Sequence, residues 1–135
     1  MPDVNRICNK CGKTVKFHFG QRITTSYELA WSGGFSCAVC FNSEEVDGIG
    51  KIDKELRGII INEEGIWGLN IVLCGSELTK ALSILRKLQN LTMDDLKVMK
   101  NLAPGTICNG TRIEMMRLQK VLLNKSIKSE VKRVK

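Results

Sequence analysis

The sequence predicts an α+β protein in two modules: a small β module over residues 1–48 and a compact α+β domain over residues 66–135. A connector with a short helix joins them at residues 49–65. Three observations lead there. Two Cys-x-x-Cys pairs enclose a stretch of alternating apolar and polar residues. Apolar residues recur at helical spacing in the later segments, and two of those segments open on threonine capping boxes.

The front module is organised by Cys8-Asn9-Lys10-Cys11 and Cys37-Ala38-Val39-Cys40, with 25 residues between the pairs. Two residues between cysteines let a tight turn aim both sulfurs at one ion, and two such knuckles complete a tetrahedral four-thiolate shell. That is the shell structural zinc favours, so one structural zinc ion on Cys8, Cys11, Cys37 and Cys40 is expected. Iron fits the same sulfur geometry, and sequence does not separate the two metals. A closed shell leaves no position for substrate. Between the knuckles, Val15, Phe17 and Phe19 alternate with Lys16 and His18 as in a strand with one buried face. Ile23 to Trp31 supplies a returning strand, and Ser32-Gly33-Gly34 reads as a turn into the second knuckle. This is the plan of a zinc ribbon, with metal binding supplying much of its folding free energy. His18 sits on the outward side of its strand and is not needed as a ligand. Phe17, Tyr27, Trp31, Phe35 and Phe41 read first as the core of so small a module.

After Cys40 the chain turns acidic and glycine-spaced at Glu44, Glu45, Asp47, Gly48 and Gly50, leading into the connector. Ile52, Leu56, Ile59 and Ile60 then fall at helical spacing, with Asp53 as N-cap and Gly65 as stop. Gly58 and the Ile59-Ile60-Ile61 run leave a strand open as the alternative. No long linker intervenes, so the modules are expected to pack together with Trp67 near their seam.

The back domain opens with an apolar strand from Ile66 to Gly75, which includes Cys74. Leu78, Ala81, Leu82, Leu85 and Leu88 mark a helix capped by Ser76. Thr92-Met93-Asp94-Asp95 heads a second helix to about Asn101, with Leu96 and Met99 on one side and Lys97 and Lys100 on another. Pro104-Gly105 ends it, and Gly105 to Thr111 reads as a loop. Thr111-Arg112-Ile113-Glu114 heads a third helix to about Asn124, burying Met115, Met116, Leu118, Leu122 and Leu123. Residues Ile127 to Val134 return as a short strand.

This order, with Leu85-Arg86 closing one helix, a Leu-x-Met-x-x-x-Lys-like helix before Ala103-Pro104 and a basic final strand, resembles the C-terminal domain of the bacterial ribosomal stalk protein. The resemblance covers Gly68 to Lys135 and rests mostly on core and turn residues. It implies a β-α-α-β-α-β fold, which the adaptor delivering N-degron substrates to a bacterial AAA+ protease shares. It also implies docking through the first two helices, where Leu82, Arg86 and Lys97 match recruiting positions, with Lys100 beside them. Ser83 stands where that family usually has lysine. A zinc ribbon replaces the family's dimerising helices and hinge, so the chain is expected not to be the stalk protein itself.

Charge bears on partners. Residues 1–65 carry 8 Lys/Arg and 9 Asp/Glu, whereas residues 66–135 carry 13 and 5. The back domain should therefore meet something acidic. The favoured expectation is a non-catalytic protein-interaction module, linked to translation, docking on an acidic protein surface such as a translational GTPase or a ribosomal component. The alternative is a nucleic-acid binder using the ribbon aromatics and Lys128, Lys132 and Arg133. No phosphate loop, nucleophile motif or His–carboxylate pair suggests an enzyme. Cys74 and Cys108 read as small core residues. No membrane-length apolar run or leader is evident, so a cytoplasmic location is expected.

Overall fold

A computed structural model describes residues 2–72 and 75–135. Within them the chain divides into two compact units, residues 1–63 and 64–135, each described by itself. The protein is mixed α+β, with two antiparallel sheets and four helices among the described residues.

The first unit is an antiparallel meander of β1 (Asp3–Ile7), β2 (Thr14–Ile23), β3 (Leu29–Ser36) and β4 (Ser43–Ile49), followed by α1 (Lys54–Glu64). Alternation in β2 sends Phe19 into a small core with Ile52, Leu56 and Ile60, and Val4, Phe17, Trp31 and Ile59 pack around it. The Asp53 carboxylate accepts from the Glu55 N–H at 3.1 Å, so Asp53 caps α1. The Ile59-Ile60-Ile61 run is therefore helical.

Two expectations here are corrected. Ser32-Gly33-Gly34 is not a turn but the middle of β3, the returning strand, and the chain turns earlier, at residues 24–28. The glycines are present for room. A Cβ at Gly33 would lie 2.5 Å from Phe17 Cζ, and one at Gly48 would lie 2.6 Å from Trp31 Cζ2, so each ring lies across a bare stretch of neighbouring backbone. The acidic stretch from Glu44 to Asp47, read as an irregular run leading into the connector, is β4, paired with β3 in unbroken register.

The second unit runs β5 (Trp67–Ile71), α2 (Gly75–Gln89), α3 (Met93–Leu102), β6 (Gly105–Gly110), α4 (Arg112–Asn124) and β7 (Glu130–Arg133). Its sheet order is β6-β5-β7. Leu69 and Ile71 of the central strand meet Ala81, Leu85, Met99, Met115, Leu118 and Leu122 in one continuous core. Residues 105–111 are thus not a loop. Their glycines and threonine disguise a strand whose one fully apolar inward side chain is Ile107. Leu123 is also corrected: it is exposed, and Met116 is only half-buried, because α4 turns its Met115–Leu118–Leu122 stripe to the sheet. Ser76 lies inside the first turn of α2 rather than capping it, and the expected strand end at Leu73 and Cys74 falls outside the described residues.

Both capping boxes form. In each, the threonine hydroxyl accepts from the N3 amide, and the N3 carboxylate accepts from the threonine amide: Thr92 with Asp95, and Thr111 with Glu114. The Thr92 amide and hydroxyl hold the Asp95 carboxyl below its usual range. A depressed carboxylate pKa contributes stability above the unfolded value and loses it as pH falls through the folded one. Stability of α3 is therefore expected to decline below the ordinary aspartate range, and Asp95→Asn should flatten that decline in amide-exchange profiles against pH.

At the other end of α4, Ser126 adopts φ 62°, its N–H donates to the Leu123 carbonyl, and the Ile127 N–H donates to the Leu122 carbonyl. This is a Schellman closure with serine where glycine is cheapest. Ser126→Gly is expected to raise the stability of this unit by about 1 kcal/mol, read by urea denaturation.

Candidate metal centre and helix surface

Each Cys-x-x-Cys pair forms a hairpin tip, one between β1 and β2 and the other between β3 and β4. The two tips are built alike. The Cys8 amide donates to the Lys13 carbonyl and the Cys37 amide to the Asn42 carbonyl, while the Gly12 and Phe41 amides donate to the carbonyls of Cys8 and Cys37. Gly12 and Phe41 hold matching places, both with positive φ, 75° and 60°. Pairing within the meander puts the tips at one end of the sheet, and all four sulfurs lie within 4.8 Å of one another. The Cys8–Cys40 and Cys11–Cys37 sulfurs are 3.6 and 3.5 Å apart. A tetrahedron with metal–sulfur bonds of about 2.3 Å has sulfur–sulfur edges of about 3.8 Å, so this cluster can hold one metal ion.

The electrostatics agree. The Cys11 and Lys10 amides pull the Cys8 thiol down to about 6. The amides of Cys40 and Val39 likewise lower Cys37. At Cys11 the Lys13 amide acts downward, but burial and the three neighbouring thiols together push the group up to about 12. Four thiolates at these separations need a cation among them, and binding one displaces the protons that the crowded sulfurs otherwise keep. Cys8 and Cys37 are buried and Cys40 is exposed, so the shell is closed on the sheet side and open at the tip. Sequence reasoning missed Asn42, whose side-chain amide lies 3.9 Å from the Cys8 sulfur and donates to Asn9 Oδ1 at 3.2 Å. Its only signal was its place two residues past Cys40.

The remaining candidate residues separate by burial. Leu82 is 6% exposed and belongs to the core, so it supports α2 from beneath and offers no surface. Arg86 on α2 and Lys97 and Lys100 on α3 are exposed, and none makes an ion pair among the described residues. The two helices pack together across a short turn at residues 90–92. On a different side of α3 from its two lysines, Val98 and Leu102 are 60% and 49% exposed, an apolar pair one turn apart that hydropathy spacing alone did not single out.

The C-terminal basic segment is not a free tail. Residues 130–133 are β7, hydrogen-bonded along β5. Lys132 pairs with Glu130 at 3.4 Å, and the Arg133 Nε donates to the Lys135 carbonyl, while Lys128 is exposed. Of the ribbon aromatics, Phe17, Trp31 and Phe35 pack into clusters, whereas Tyr27 is exposed and Phe41 is 85% exposed. His18 is exposed on the outward face, 3.9 Å from the Asp3 carboxylate. Trp67 has its partners in its own unit: its indole N–H donates to the Glu64 carbonyl, and the Arg112 guanidinium lies 5.5 Å from its ring centre. Burial pushes the Cys108 thiol up to about 11, so it is protonated at neutral pH, and its nearest sulfur is that of Met115 at 3.9 Å. Cys74 lies outside the described residues. No helix among the described residues is long and apolar enough to cross a membrane.

No protein-family model, curated protein or solved structure matches the chain.

Proposed function

We propose that the protein is a non-catalytic interaction module: a front unit stapled by one structural zinc ion, and a back unit that docks on an acidic protein surface through α2 and α3. The observation that carries this reading is the set of exposed cations Arg86, Lys97 and Lys100 on the two packed helices, none of them ion-paired among the described residues. Exposed cations with no carboxylate of their own suit a partner that presents carboxylates. The β-α-α-β-α-β order supports the likeness to the stalk C-terminal domain, and with it a cytoplasmic, translation-linked partner such as a translational GTPase or ribosomal component.

Titration of the protein onto a purified translational GTPase tests it. Arg86→Glu or Lys97→Glu should weaken binding about tenfold or more, since each turns an attraction into a repulsion. The triple change of Lys128, Lys132 and Arg133 to Glu should leave it unchanged. The reverse pattern, together with oligonucleotide binding that falls steeply with salt, would replace this reading by the nucleic-acid one. Zinc rather than iron is checked by metal analysis of the purified protein, with one equivalent expected.

A further inference from the structure

The front unit has a second surface that this reading does not use, the open edge of β4. Two hydrogen bonds fix which backbone groups face outward. Cys37 pairs with Asn42 at one end of the β3–β4 ladder, and the Gly50 amide donates to the Leu29 carbonyl at the other. The register between them is unbroken, from Ser36↔Ser43 to Ala30↔Ile49. Hydrogen-bonded pairs alternate in an antiparallel ladder. Glu44, Val46 and Gly48 therefore spend their amides and carbonyls on β3, while those of Glu45, Asp47 and Ile49 point away from the sheet.

Charge is the protection this edge carries. β4 has no proline, lysine or bulge, and six of its seven residues are exposed. Glu45 and Asp47 make no hydrogen bond or ion pair among the described residues. Beside them runs an open groove of about 390 Å³, lined by His18, Gly33, Gly34, Phe35, Glu45 and Asp47 among others. Two copies laid edge to edge would set these carboxylates against each other, which disfavours self-pairing, and a phosphate backbone meets the same repulsion.

We propose that the β4 edge binds an extended, basic peptide segment of another protein, which adds to the sheet as a fifth strand. Backbone pairing to Glu45, Asp47 and Ile49 supplies the affinity, and Lys or Arg at alternate positions of the segment meets the two free carboxylates. Phe41, bare at the head of β4, gives an arginine a ring face to lie on.

The test uses the full chain and a fluorescein-labelled octapeptide alternating Arg with Val, read by anisotropy. Controls are the same peptide N-methylated at alternate backbone positions and a Glu–Val counterpart. The Arg–Val peptide should bind and both controls should bind at least tenfold more weakly. Asp47→Pro removes one outward amide without touching the β3 ladder, and should cost about tenfold or more in affinity. Glu45→Lys should cost as much by charge alone. Thermal unfolding of each variant verifies that the sheet persists, and Asp47→Asn separates the lost carboxylate from the lost amide. Equal binding of the N-methylated peptide, or full binding by a folded Asp47→Pro variant, would overturn the proposal and leave only charge attraction.

Discussion

Replacing Cys8 or Cys37 with serine is expected to unfold residues 3–60 together while the sheet and helices from Glu64 onward persist. The first unit has little else to hold it. Its main apolar cluster has four buried side chains, Phe19, Ile52, Leu56 and Ile60, with Leu29 and Ala30 buried in β3 besides. A second cluster consists of Cys8, Cys37 and Val15, which is the ligand shell itself and one neighbour. The exposed Arg6–Glu55 pair, at 3.2 Å, adds on the order of 0.2–1 kcal/mol. Structural zinc sites supply about 10–16 kcal/mol of apparent binding free energy, against about 5–15 kcal/mol for the net stability of a whole domain. If loss of one ligand releases the metal, the small core is left without its main support. A strong chelator should act in the same way. Because metal entry displaces protons, the unit should also lose its metal as pH falls. Amide exchange resolves the outcome: fast exchange across β2 and β3 with protection retained in β5 and α4. Full protection of β2 in metal-free protein would remove the metal from its place as the main support of this unit.

Leu122→Ala should be the most damaging single change in the second unit. The side chain is wholly buried between α4 and the sheet, and its carbonyl also receives the Ile127 amide that closes the helix. Leucine-to-alanine changes at such positions cost about 2–5 kcal/mol, a large share of what a unit this small can hold. Leu123→Ala, one residue on but exposed, should stay within about 0.5 kcal/mol. Urea denaturation followed by helical circular dichroism compares them directly, and equal losses would mean that α4 faces the sheet differently.

That contrast also shows how far sequence reasoning reached. Periodicity located all three helices of the back unit, and threonine followed three residues later by an acid fixed the starts of two of them. It could not rank Leu122 over Leu123, since adjacent leucines fit either rotation of a helix and only the sheet beneath chooses. The four cysteines were legible because a ligand shell depends on residue type and spacing, which the chain displays directly. β4 was not legible. An edge strand exposed on both faces has no apolar alternation to show, so Glu44, Glu45 and Asp47 read as an irregular lead-in to the connector. β6 was hidden for a related reason, because Gly105, Thr106, Asn109 and Gly110 carry turn chemistry and only its pairing with β5 makes it a strand. Spacing put Lys97 and Lys100 on one side of a helix and the resemblance singled out Arg86 and Lys97, but the exposure of Val98 and Leu102 needed the packed structure.

The order of strands has a consequence for how each half is made. In the front unit every strand pairs with its predecessor, so contacts close as fast as residues leave the exit tunnel, and the ligand shell is complete once Cys40 has emerged. In the back unit the earliest strand occupies the centre and waits for both flanks: Trp67 finally faces Gly110 on one side and Arg133 on the other. High contact order of this kind delays closure. The nascent chain should thus carry a finished, metallated front unit while α2 and α3 still shelter beside a half-built sheet.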